Sequence, residues 1–447
     1  MDILIFGIVA LLWWVWTYTN RATFNDFLSP FNLLLYLWVI PFVLSFLNWS
    51  GLQRGLSFEA AAIILICTLI LVSISVIPMR RFRGAYLKVG LPHLQGLTDS
   101  RIVRYLVVGL YFVSLAAMYF AEFRDGLPIF EYLSEGVDDA SLHLAGKDSK
   151  LQVIAQGLMV AGAFCYYTAM NTESKTSRFI YFLLAMTVPL LGVLKASKSG
   201  VFTPALYYAA IYYYLKISWG ERPLTTRAIT LLAGSFVLMV SITSIRVLGT
   251  GATSGYSGAI EFRYADELIF PLNEIVATIY GYTALGFQNF SDYLPYDDGT
   301  LRIGTSFFRP LLSMLMQGEW VREMSVPKSA WHVMTPAATT GTYLRDLYME
   351  GGILLCLFGS LFYASFINWL YVKFRRAGGG FWFFIYIIML FPWVWMFFQN
   401  AFSILSFYTN AFYVVAIFAI AKLLRWTLPN VVSRSSSTST SGVLNNV

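Results

Sequence analysis

Along this chain, apolar runs of about 20 residues recur between short polar connectors, and one polar stretch of roughly a hundred residues runs from Arg246 to Glu350. At 1.5 Å per residue, such runs suffice to cross the ~30 Å hydrocarbon core of a bilayer. They fall at 3–19, 31–49, 58–78, 102–122, 151–170, 179–194, 200–217, 228–245, 351–372, 380–398 and 402–424. The pattern predicts an all-α polytopic membrane protein with about eleven transmembrane helices, in a range of roughly 11–13. A single membrane domain is expected over residues 1–432, and a disordered cytoplasmic tail over the Ser/Thr-rich, aperiodic stretch 433–447. The first run lacks a basic start and a small-residue cleavage site. Its Trp13, Trp14 and Trp16 suit a retained anchor rather than a secretory signal.

The Lys and Arg residues fix an expected orientation. Arg80, Arg81, Arg83 and Lys88 share one connector, with Arg101 and Arg104 at its far end. Lys175 with Arg178, Lys216 with Arg222 and Arg227, Lys373 with Arg375 and Arg376, and Lys422 with Arg425 mark the others. With the spans above, all of these fall on one side, which the positive-inside rule makes the cytoplasm. The N-terminus, the connector 123–150, the turn Lys195–Gly200 and the loop 246–350 then lie outside.

Composition narrows the function classes. Hydrophobic residues make up 57% of the 447 and charged residues 12%, against about 25% charged in a soluble domain. The net charge of +7 is the cytoplasmic cation excess that topology requires, with attraction to anionic headgroups, and not a nucleic-acid footprint. Cys67, Cys165 and Cys356 lie inside spans without paired spacing, and with only three histidines there is no zinc-like cluster. No metal or cofactor is expected. None of the spans as drawn carries a charged residue near its middle. That pattern weighs against an ion-coupled transporter without excluding one.

The long loop therefore becomes the expected seat of function. It is acidic as a whole, yet Arg246, Arg263 and Arg345 fall near its two ends, a distribution that suggests a specific anion site. The segment 267–290 has apolar residues near helical spacing, with Glu267 and Glu274 on its polar side. It reads as an amphipathic helix on the outer surface or dipping into it.

The order of several motifs resembles the Wzy-type O-antigen polymerases, the oligosaccharide repeat-unit polymerases. They are Asp125-Gly-Leu-Pro-Ile-Phe130, Lys195-Ala-Ser-Lys-Ser-Gly200, an Arg at the mouth of the loop (Arg246), Gly304-Thr-Ser-Phe-Phe-Arg-Pro310, Trp320, and Thr340-Gly-Thr-Tyr-Leu-Arg-Asp-Leu-Tyr348 closing on Gly351-Gly352. The resemblance implies transfer of a growing glycan from one polyprenyl-pyrophosphate carrier to the sugar of a new carrier-linked unit, at the outer face of the bacterial inner membrane. Its partners would be the lipid-linked donor and acceptor, the lipid bilayer and a chain-length regulator protein. An O-antigen ligase acting on lipid A-core is the alternative enzyme, and a lipid-linked oligosaccharide flippase or exporter the alternative class.

Under this reading, fixed cations stabilise the pyrophosphate leaving group, with the guanidinium fork preferred for its paired donors. Lys195, Lys198, Arg246, Arg263 and Arg345 are the candidates. Each also has a plainer role. Arg246 and Arg345 sit at span ends, where an Arg snorkels to headgroups, and Arg263 has carboxylates close by in sequence. Gly200 is expected to let the Lys195–Gly200 turn close. For a base acting on the attacking hydroxyl, His332, Asp346 and Glu267 compete. His332 is the one histidine in the loop, while Asp346 directly follows Arg345 and pairs with it on the plainer reading.

Overall fold

The computed structural model describes residues 11–13, 15, 26–81, 101–124, 126–130, 149–195, 197–219, 234, 258, 261–269, 272–296, 301–302, 310, 312, 341–377, 380–397 and 404–427. The protein is an all-α polytopic membrane protein. Among the described residues there are no strands, and seven helices are long and apolar enough to cross a membrane. The expected spans from 31–49 to 200–217, and those at 351–372, 380–398 and 402–424, each correspond to a described helix. The spans expected at 3–19 and 228–245, apart from a few isolated residues, lie outside the described residues, as do the tail 433–447 and the motif cores at 304–309 and 320.

Helix α1 (Pro30–Leu47) starts where Ser29 accepts a hydrogen bond from the Asn32 backbone N–H at 3.4 Å, with Pro30 preset for the first turn. It widens into a π-turn at Leu35–Val39 just before Pro41, whose ring would press on the Leu37 carbonyl in a regular helix. Helices α2 (Phe58–Arg81) and α3 (Arg101–Met118) follow, α3 ending in a second π-turn at Tyr119–Phe123. Then come α4 (Ser149–Ala155), α5 (Gly157–Asn171), α6 (Lys175–Leu194) and α7 (Lys198–Ser218). The segment from the large loop forms α8 (Leu272–Tyr293), and α9 (Tyr343–Ala377), α10 (Phe381–Trp395) and α11 (Leu405–Thr427) complete the bundle.

Helix α9 is two arms rather than one rod. Gly351 and Gly352 leave helical geometry, and Gly352 takes φ +63°, ψ −152°, a conformation that only glycine adopts readily. Beyond this turn the chain doubles back. The Tyr343 and Ser360 hydroxyls are 2.7 Å apart, and the Cys356 thiol lies 3.4 Å from the Leu344 carbonyl oxygen. A straight helix would separate residues 343 and 360 by about 25 Å. Residues 343–350 are therefore a re-entrant half-helix, antiparallel to the spanning arm and buried along its whole length. The resulting clusters are dense with rings. Tyr343 meets Trp38 at 5.2 Å and Tyr363 at 4.9 Å between centroids.

Helix α8 also enters the bundle instead of lying on it. Phe287 packs on Trp38 at 4.9 Å and Phe42 at 5.5 Å, and Phe290 on Tyr348 at 5.8 Å. Glu274, expected on the polar face, is buried. The two loop helices thus fill the end of the bundle from which the loop departs, here the loop end.

The opposite, basic end collects the helix termini that carry Arg101, Lys175, Lys216, Lys373, Arg376 and Arg425. It is tied shut by Asp26. This buried carboxylate accepts from the Tyr371 hydroxyl at 2.7 Å and from Arg375 Nη1 at 3.5 Å, and Tyr214 reaches it at 3.4 Å. The neighbouring Phe27 N–H donates to the Tyr213 hydroxyl at 2.7 Å. One acidic group therefore pins the chain before α1 to the ends of α7 and α9.

Candidate functional site

Helix α10, an apolar helix of 15 residues outside the seven long enough to cross, is about 22 Å long, less than a ~30 Å hydrocarbon core. At its loop end, the Met396 carbonyl accepts the Tyr343 N–H at 3.0 Å, so the half-helix fills the gap on one side. On the other side the gap stays open as a pocket of about 540 Å³. Phe391, Trp395 and Tyr282 line it, and its lining residues from α3, α5, α6, α7, α10 and α11 all belong to the loop-end halves of those helices.

Among the described residues two charged side chains line this pocket, Glu122 and Lys195, and they pair. Lys195 Nζ donates to Glu122 Oε1 at 2.7 Å, and Gln152 Nε2 approaches the same oxygen at 3.2 Å. Glu122 sits in the π-turn that ends α3, where the extra residue shifts the phase of the side chains, and it is only 2% exposed. Lys195 caps α6 and is 34% exposed, reaching inward from the rim. The turn after it is built for close approach. Ser197 caps α7 by accepting from the Gly200 N–H at 3.1 Å, and a Cβ on Gly192 would fall 2.4 Å from the Gly200 backbone. Glycine at 192 is thus needed because α6 and α7 touch backbone to backbone there, while a Cβ on Gly200 would sit 3.0 Å from the Gly192 Cα.

The rest of the polar lining among the described residues is neutral. The Asn410 side chain is hydrogen-bonded to the Tyr207 hydroxyl and is buried, while its Oδ1 has no partner among the described residues. Gln156 Oε1 likewise has none. Both residues line the pocket, with Ser197, Ser199, Thr203 and Ser406. A buried amide oxygen without a partner costs on the order of 1–3 kcal/mol, and both of these oxygens are closed off from the cavity itself.

The candidates named from sequence distribute unevenly. Lys195 lies in the pocket, and Lys198 opens α7 beside it. Arg345 and Asp346 do not line it. They lie on the half-helix, each 3% exposed, with Arg345 Nε 3.7 Å from Asp346 Oδ1. The Arg345 guanidinium folds over Gly341, where a Cβ would sit 2.4 Å from Nε. The plainer expectation for Arg345, snorkelling at a span end, is overturned by its burial. Its closeness to Asp346 fits the plainer reading of that carboxylate. The half-helix also brings this charged pair inside a bundle whose spans show none at mid-length in sequence.

Arg263 and Glu267 are exposed, on a segment held to the end of α1 by the Arg263 N–H donating to the Trp49 carbonyl at 2.8 Å. Neither lines the pocket. Arg246 and His332 lie outside the described residues. Sequence reasoning passed over Glu122, Gln156 and Asn410. Glu122 carried one usable signal: a lone carboxylate at the end of an apolar run, on the same expected side as a lysine that the topology does not need. No known protein family, curated protein or solved structure matches this chain.

Proposed function

We propose that the protein is a glycosyltransferase that polymerises polyprenyl-pyrophosphate-linked oligosaccharide repeat units into a surface polysaccharide, at the outer face of a bacterial inner membrane. The observation that carries this reading is the pocket of about 540 Å³ at the loop end, where a buried carboxylate paired with a rim lysine, amides, hydroxyls and aromatic walls meet at the depth where helices end. That volume lies within the range of small-molecule sites. Its depth suits a sugar whose lipid carrier remains in the bilayer, and its aromatic-plus-polar lining suits a ring with one apolar face and a rim of hydroxyls.

The reaction needs no nucleotide sugar. The donor's anomeric carbon already bears a pyrophosphate leaving group, and the protein has to align it with a hydroxyl of the acceptor and stabilise the charge that develops. The cations named from sequence serve the second task in this reading. Lys198 and Arg246 stand nearest in sequence to the pocket and to the mouth of the loop, and Arg345 is held in place on the half-helix.

The exporter reading fits less well. A translocation path has to open at both ends in turn, whereas the described residues that line this pocket are loop-end ones and the basic end is tied by Asp26. Purified protein in detergent, given lipid-linked repeat units alone, is expected to produce a ladder of longer glycans on the carrier. Units that stay the same length while changing leaflet in vesicles would replace the polymerase with an exporter. Transfer of finished chains to lipid A-core would replace it with a ligase.

A further inference from the structure

The pocket is one helix thick on the side of α3 and α6. These two helices run parallel, from the basic end to the loop end, and each packs on α5, which lies behind them. Among the described residues they are not themselves a packed pair. Side chains bridge them instead. The Tyr111 and Thr187 hydroxyls hydrogen-bond part-way up, and Lys195 reaches Glu122 at 2.7 Å at the loop end. These two rungs stand about 16 Å apart along α3 and about 12 Å along α6. Met118, Val188 and Leu191 fall between them, and all three line the pocket. Their sequence neighbours Tyr119 and Leu190 are exposed on the outer side. The pocket thus lies behind the gap between the rungs, and lipid lies in front of it.

Both helices are irregular at this level. Pro189 has no N–H for the Ala185 carbonyl, which accepts from the Tyr208 hydroxyl at 2.7 Å instead. Glu122 stands in the π-turn Tyr119–Phe123. A proline inside a helix and a π-turn are the two places where a helix bends most readily. One flanks the gap on each side. The rung that closes its loop end is an ion pair whose lysine is 34% exposed, so that lysine can swing to water without stranding its own charge.

We propose that the gap between α3 and α6 is a side entrance from the bilayer to the pocket, gated by the Glu122–Lys195 pair, and that its occupant is the hydrocarbon chain of the polyprenyl carrier. The identity of the carrier rests on the polymerase reading, while the entrance rests on the geometry of α3, α5 and α6 alone. The two ends of the gap match the two ends of such a lipid. Its walls are apolar at Leu115, Met118 and Leu191, and its charged rung stands at the depth where helices end. The chain stays in the hydrocarbon region between the helices as the polar head passes the parted pair. No polar group then has to cross the apolar core.

Photo-crosslinking reads the occupant directly. A benzophenone-bearing residue is placed singly at Leu115 or Leu191, at the same level of the gap, and as a control at Phe358, an exposed position on α9. The protein is set in nanodiscs of ordinary phospholipid with a small fraction of isotope-labelled polyprenyl phosphate. Leu115 and Leu191 are expected to capture the polyprenyl chain several-fold above its share of the bilayer, and Phe358 in proportion to that share. Leu115 does not line the pocket, so it keeps the test intact if the Leu191 variant fails to fold. Capture in proportion to the bilayer at all three positions would make the gap a seat for bulk phospholipid only and overturn the proposal.

A reducible bridge tests passage. Leu115→Cys/Leu191→Cys, joined across the gap by a bifunctional methanethiosulfonate, should stop extension of lipid-linked units, and a reductant should restore it. Extension that continues in the bridged protein would remove the entrance and leave the polymerase standing. If wild-type protein extends nothing yet captures the polyprenyl chain selectively at Leu115, the entrance stands and the polymerase reading falls.

Discussion

At the scale of single residues, the ion pair of Glu122 and Lys195 is unequal. Glu122 is almost wholly buried and Lys195 about a third exposed, so removing the lysine strands a buried charge, whereas removing the acid leaves a cation that can turn to water. Breaking a buried pair from one side costs about 3–5 kcal/mol. With water reaching Lys195, about 1–2 kcal/mol is expected for Lys195→Ala. Glu122→Gln should cost less, and the double variant Glu122→Gln/Lys195→Met should recover most of the loss. Thermal unfolding of the four proteins in one detergent checks the order. Equal losses in both single variants would mean that the carboxylate is not held in a dry environment.

Asp292, near the end of α8, gives a pH signature. Burial raises its carboxyl above the usual value near 3.8, although Gln288 donates to it at 2.8 Å and Arg54 lies near. A raised acid binds its proton more tightly in the folded state, so stability falls as pH rises from the ordinary carboxylate pKa through the raised one. Asp292→Asn keeps an oxygen for Gln288 and removes that slope. Its melting temperature should exceed wild type at pH 7 and match it below pH 4. A constant difference at both pH values would show that the effect is not titration of this group.

At the scale of elements, the spanning helices were legible because apolar length is a property of consecutive residues. The half-helix was not. Tyr343–Glu350 is polar enough to read as loop, and only the φ of Gly352, a property of the fold, turns it back into the bundle. The same limit hid the pocket. It follows from α10 being short and from a π-turn in α3, and neither register nor depth can be read from hydropathy. What sequence did carry was the Lys195–Gly200 turn, whose lysine and glycine both prove to have specific contacts.

That turn makes a sharp element-scale prediction. A methyl on Gly192 would meet the Gly200 backbone at 2.4 Å, so Gly192→Ala forces α6 and α7 apart and should cost on the order of 1–3 kcal/mol. In α3, a Cβ on Gly109 meets nothing within 4 Å. There the alanine should instead stabilise by about 0.5–1 kcal/mol through helix propensity. Opposite signs in thermal unfolding, with pocket binding lost only at 192, are the expected result. Similar small shifts at both positions would show that the α6–α7 approach is looser than this.

At the scale of the whole molecule, orientation decides whether the pocket can meet an exported substrate. The described helices put the basic termini at one end and the pocket with the half-helix at the other. By the positive-inside rule the pocket is expected to face outward. Single cysteines at positions 140 and 325 should react with a membrane-impermeant maleimide in intact cells stripped of their outer membrane, and those at 90, 222 and 378 only after lysis. Labelling at 325 only after lysis would put the pocket on the cytoplasmic side and remove it from any lipid-linked glycan already exported. The same placement fixes the energetics. On the proposed function, an outward pocket whose substrate arrives with its own pyrophosphate leaving group needs no ATP, nucleotide sugar or ion gradient, and cations from Lys and Arg can fill the charge role a metal would otherwise take. Chain extension by purified protein should therefore persist in EDTA and in detergent without a sealed membrane. A strict requirement for added divalent metal would leave transfer standing but displace the protein's own cations from the leaving group. A requirement for a sealed bilayer with a gradient would instead make the buried Arg345–Asp346 pair a coupling element and turn the molecule into a transporter.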